Sequence, residues 1–98
     1  MATVRELFRF LDEHIFLPIL NATPDGRDRQ TLRLAQAAVE RTRMEYQQID
    51  SVDAMRAAFI SDLRSESGRL LAERLRWLGL PRFEDIEAEF LRLADEGQ

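Results

Sequence analysis

The strongest constraint on this chain is a step pattern in its middle. Leu32, Ala35, Val39, Thr42, Tyr46 and Ile49 follow one another at intervals of three or four residues. Such residues share one stripe of an α-helix, because a turn holds about 3.6 residues. A stripe this narrow packs along another long helix. Similar spacing recurs on both sides of it, and no segment alternates apolar and polar residues with β-branched enrichment as a strand would. The expected fold is all-α: an antiparallel bundle of three long helices plus a short C-terminal helix, forming a single domain over residues 1–98.

Punctuation divides the chain into four segments. The first helix is predicted from Val4 to Leu20, opened by Thr3 and Glu6 in the capping-box pattern. Its stripe is Val4, Phe8, Leu11, Ile15 and Ile19, and Pro18 is expected to kink or end it by removing a backbone donor. The stretch Asn21 to Gly26 reads as a turn. The second helix, carrying the seam above, is predicted over about Asp28 to Ile49, and Asp50 and Ser51 supply capping oxygens for the third.

In the third helix Val52, Phe59, Leu63, Leu70 and Trp77 stay in phase, flanked by Ile60, Leu71 and Leu78. The phase survives Ser65 to Gly68, so one continuous helix over residues 52–78 is expected. Gly79 suits the left-handed position after it, with Leu80 and Pro81 closing the turn. The fourth helix is predicted over about Phe83 to Ala94. Glu84, Asp85 and Glu87 sit at its positive end, and Phe83, Ile86, Phe90 and Leu93 form its stripe.

The composition excludes several chemistries. Without a cysteine there is no disulfide, thiolate metal site or thiol nucleophile, and a single histidine, His14, rules out a multi-histidine centre within one chain. No cofactor is expected. The four glycines are scattered, so no phosphate-binding loop exists. No apolar run is long enough to span a membrane, and Met1 to Arg9 lacks a secretory pattern, so no membrane association and a cytoplasmic location are expected. All 14 basic residues are Arg, which points to a G+C-rich genome, and a net charge of −4 argues against a general phosphate-backbone binder.

Each candidate site has an ordinary structural counterpart. His14 lies at the edge of the first stripe, where a hydrogen bond to a carboxylate or backbone carbonyl is its ordinary role. The carboxylate pairs Asp62/Glu66 and Glu84/Glu87 are too sparse for a carboxylate-and-magnesium enzyme, and no catalytic or metal residue is assigned. Arg29, Arg33 and Arg43 share a face of the second helix with Gln36, Glu40 and Gln47, a basic face that could reach nucleic acid. Arg56 and Arg74 project into the apolar arc of the third helix and are expected to pair structurally, with Glu13, Glu40 or Glu45 as partners.

The feature that points furthest is apolar excess. Ile15 to Leu20 is hydrophobic on every side, so Phe16 and Leu20 point away from the stripe, and Phe10 and Leu17 to yet another side. With Trp77 these are the interface candidates, since exposed aromatic and aliphatic groups of this size invite association. The function expected is a small bacterial protein-interaction module: an adaptor, assembly factor or regulator. It would act through an apolar helix face as a homodimer built partly from the first helix, with its further protein partner unspecified. The alternative is a nucleic-acid-associated or antitoxin-like regulator using the Arg-rich second helix.

Overall fold

The computed structural model describes residues 2–23, 29–66, 68, 69, 76–79 and 82–96. Helices are the only regular elements among them, so the chain is all-α. The first rod comprises α1 (Val4–Leu11), a π-helical turn (Asp12–Phe16) and α2 (Leu17–Leu20). It is followed by α3 (Arg29–Gln47), α4 (Val52–Arg64), a short 3-10 turn (Arg76–Leu78) and α5 (Phe83–Glu96). No described helix is long and apolar enough to cross a membrane.

The predicted starts are built as expected. Thr3 Oγ1 accepts from the Glu6 N–H at 3.2 Å, and Ser51 Oγ from the Ala54 N–H at 3.1 Å. Helix continues through Pro18 to Leu20. The π turn precedes Pro18, and the Leu17 N–H reaches back five residues to the Asp12 carbonyl. Pro18 has no N–H to offer and its ring crowds the preceding turn, and the wider ring accommodates both. The wider turn also advances each residue by less than the roughly 100° of an α-helix. Phe16 is therefore carried inward and is only 5% exposed, against the outward direction an α-helical projection assigns it. Leu7, absent from the expected stripe, is fully buried.

The buried side chains form one cluster. At one end Leu7, Leu11, Met55 and Phe90 bring together α1, α4 and α5, which pack on one another, and Phe59 lies 4.4 Å from the Phe90 ring. At the other end α3 lies along the π turn and α2, with Leu32, Ala35, Val39 and Tyr46 buried as the seam requires. Phe16 lies between the two ends, edge-on to Tyr46 of α3 at 5.6 Å and 6.3 Å from Phe8 of α1.

The third segment departs from the expected single helix. The α-helix ends at Arg64, and Ser65 is extended (φ −69°, ψ 149°). Its hydroxyl donates to the Asp62 carbonyl at 2.7 Å and accepts from the Gly68 N–H at 3.0 Å, while its carbonyl accepts from Arg69. Ser65 thus closes one helical stretch and caps the next, a task for which a short hydroxyl side chain is well suited. A side chain at Gly68 would place its Cβ 2.3 Å from the Asp62 carbonyl, so this turn needs a glycine. Apolar phase alone could not reveal a break that the capping chemistry imposes. The 13-residue α4 is consequently shorter than expected, and the C-terminal helix, with 14 residues, is not the short one. Gly79 has the expected positive φ of 72°. Leu70, Leu71, Arg74, Leu80 and Pro81 lie outside the described residues.

Candidate interaction groove

Where α3 and α4 meet the π turn they leave a cavity of about 480 Å³. Its floor is Ile15, Phe16 and Tyr46, and Leu34, Ala38 and Leu63 stand along its sides. Helix spacing explains the α3 wall, because Thr31, Leu34, Ala38 and Thr42 recur at three or four residues on the flank of the buried seam. Leu34 is 64% exposed, one of two large apolar side chains that stand in solvent among the described residues, the other being Met44 at 61%.

One polar pair sits in the groove. The Tyr46 hydroxyl donates to Asp62 Oδ2 at 2.7 Å, linking α3 to α4. Burial, reinforced by this carboxylate, pushes the phenol well above its usual titration range, so it stays protonated. The neighbouring hydroxyls of Thr31, Thr42 and Ser65 complete the polar edge. No buried side-chain polar atom among the described residues lacks a partner.

The basic face read from the sequence is divided. Arg29 and Arg33 are exposed, but Arg43 turns to the first rod, where its Nε and Nη2 donate to the two oxygens of Asp12 at 2.6 and 3.1 Å. The guanidinium also lies 5.8 Å from the Phe8 ring centre. The hydrogen bond to Asp12 holds Arg43 further above its ordinary pKa. Gln36 is engaged too: its amide nitrogen lies 3.1, 3.3 and 3.0 Å from the carbonyl oxygens of Ile19, Leu20 and Ala22. Those carbonyls lie at and just past the end of α2, where the helical ladder runs out, so Gln36 acts as a cap delivered from another helix, beside the Ala22 N–H that also reaches the Ile19 carbonyl at 3.3 Å. A wheel projection shows angle but not which flank meets a neighbour, and both residues lie on the flank facing the first rod.

The remaining candidates fall apart from the groove. Arg56 is half-buried and pairs with Asp95 of α5 at 2.9 Å, not with Glu13, Glu40 or Glu45. Arg74 lies outside the described residues, as does the side chain of Trp77. Phe10 is half-buried, stacked 4.3 Å from His14 and 6.5 Å from Phe90. Leu17 and Leu20 are half-buried, and Leu20 packs on the chain's own core. Of the interface candidates, Phe16 alone lines the groove. His14 donates from Nδ1 to the Phe10 carbonyl at 2.8 Å, since a carbonyl can only accept. Asp62 is engaged by Tyr46 and Glu84 lies 3.5 Å from Arg82. No cluster of three or more potential metal ligands exists among the described residues.

Residue spacing does not reveal Leu34, Ala38 and Leu63 as one site, because it does not show that α3 and α4 enclose a cavity between them. Comparisons with protein-family models, curated proteins and solved structures return no match.

Proposed function

We propose that this chain is a protein-interaction module that receives an apolar helix of a partner protein between the π turn, α3 and α4. The observation that supports it is the groove of about 480 Å³, walled by helices and lined mainly by aliphatic and aromatic side chains. A guest helix reads such a groove with anchors at i, i+3 or i+4, and i+7. Ala38 and Thr42 are small enough to let a backbone come close, and Leu34 offers the guest an apolar rim.

The same volume lies in the range of roughly 300–1,000 Å³ used by small ligands, but such sites also present converging free polar groups. Here Tyr46 and Asp62 satisfy one another. The nucleic-acid alternative loses support from the engagement of Arg43 and Gln36, which leaves Arg29 and Arg33 as the remainder of that face. A magnesium enzyme finds no gathered carboxylates among the described residues.

The test is site-specific photo-crosslinking in the cells that make the protein, with the reactive side chain replacing Leu63 in the groove or exposed Ala88 on α5. Leu63 should give an adduct with one other protein, Ala88 should not, and the Ala38→Trp variant, which fills the groove, should abolish it. An adduct that survives Ala38→Trp, or no adduct at Leu63, overturns the reading.

A further inference from the structure

The outer face of α3 carries a second seam, on the side away from the core. Gln30, Leu34, Ala37, Arg41 and Met44, with Gln48 one residue past the helix, recur at steps of four, three, four, three and four, and all six are exposed. That is the heptad spacing by which one helix lies along another, and no described element covers it. Both exposed large apolar side chains among the described residues, Leu34 and Met44, belong to it.

We infer that this face pairs with the same face of a second copy, the two α3 helices running antiparallel about a twofold axis beside position 39. The seam is complementary to itself in that register. Leu34 falls opposite the partner's Met44 and Met44 opposite the partner's Leu34, so one symmetry axis covers all four side chains. Gln30 meets the partner's Gln48, amide against amide. Arg41 meets the partner's Ala37, a residue small enough for the arginine stem to lie across. Its guanidinium then lies about 4.5 Å along the axis from the level of the partner's Glu40, at 1.5 Å per residue.

A parallel pairing in register would set Arg41 against Arg41 in the middle of the seam, burying like charges together. The antiparallel arrangement avoids this, and one charged residue at a central seam position is a known means of fixing register. The contact is small, one helix face from each copy with two apolar layers, so the association is weak and concentration-dependent, as interfaces below about 1,200 Å² commonly are. This inference goes beyond the groove, with which it shares only Leu34; Met44 and Arg41 stand outside the groove and Leu63 outside the seam, so either can fail without the other.

The experiment is sedimentation of the full chain from about 10 μM to about 1 mM, a span that covers weak self-association. The unaltered chain should pass reversibly from monomer to dimer. Leu34→Glu and Met44→Arg should each weaken dimerisation at least about tenfold. The double variant L34E/M44R should recover it at low salt and lose it as salt rises, because the new carboxylate faces the new guanidinium across the axis. Within one chain the two positions are about 15 Å apart and cannot pair. Leu63→Arg, which blocks the groove, should leave dimerisation unchanged. A chain that stays monomeric to the highest concentration overturns the proposal. So do single variants that dimerise as the parent does, or a double variant no better than either single one.

Discussion

The two ends of this molecule use the same helical spacing to different effect. Where α1, α4 and α5 pack together, Leu7, Leu11, Met55 and Phe90 are fully buried and the faces close on one another. Where α3 lies on the π turn and α2, Leu32, Ala35, Val39 and Tyr46 of its inner seam are buried, yet no described element covers its outer face and its flank lines the groove. The difference comes from neighbours. α1 is flanked by two helices, whereas α3 has the first rod beneath it and touches α4 across a gap spanned by Tyr46 and Asp62. An amphipathic stripe ensures that one face is buried, and the number of helices available decides whether the others are. The closed end is where stability is concentrated, and the open end is where a partner has room.

That contrast can be broken most directly at Phe90. It is fully buried and touches Phe59 and Phe10, so Phe90→Ala should cost about 3–5 kcal/mol, a large part of the stability of a chain this size. Denaturant unfolding checks it. A cost no greater than that of Leu63→Ala, at the groove, would mean the two ends do not differ. Next in size is Gly68→Ala. The added Cβ would meet the Asp62 carbonyl at 2.3 Å, and backbone must shift to relieve it, so a loss of roughly 1–3 kcal/mol is expected. A neutral or stabilising effect would show that the chain can run straight through Ser65 as one helix.

Much of this division was readable from residue spacing, and the unread part has physical causes. The α3 seam from Leu32 to Tyr46 is buried as its spacing requires, and the Thr3 and Ser51 caps form because each hydroxyl stands just ahead of an amphipathic run. A regular 3.6-residue projection misplaces Phe16 because it cannot include a π turn, whereas Leu7 shares the face of Leu11 at ordinary α-helical spacing and is legible from the sequence. The end at Arg64 was missed because apolar phase was weighed above the capping chemistry of Ser65. The groove is hidden for a different reason, since the space left between α3 and α4 is a relation between helices. The outer seam, by contrast, lies open in the sequence. Its central Arg41 and terminal glutamines disguise it as a solvated face until exposure shows that Leu34 and Met44 stand on it together.

The latch across the gap offers a sharper measurement. Tyr46→Phe removes the hydrogen bond to Asp62 and should cost about 1 kcal/mol at neutral pH. The alkaline response is more diagnostic. Burial first, and Asp62 second, raise the phenol in the folded chain, so above its unfolded value of about 10 the unfolded state holds fewer protons. Stability is therefore fully present below about pH 10 and falls by up to about 1.4 kcal/mol per pH unit above it. The chain has one tyrosine, no cysteine and no lysine among its 14 basic residues, so no other side chain titrates between about pH 10 and 12. Unfolding measured across that window should show the decline in the parent and a flat response in Tyr46→Phe. A decline in both would place its source elsewhere than the latch.

The smallest expected effect concerns the open end alone. Leu34 is 64% exposed in the single chain, so Leu34→Ser removes little buried surface and should change the stability of the dilute monomer by no more than about 0.5 kcal/mol. At high concentration the outcome should differ. There the parent should gain stability by mass action from the proposed second copy, and its melting temperature should rise with concentration. The variant's melting temperature should stay constant, so the gap between them widens from near zero as the protein is concentrated. Equal concentration dependence in both would detach Leu34 from any self-association. A large loss already present in the dilute monomer would mean that Leu34 helps hold the fold, and the open end would then resemble the closed one.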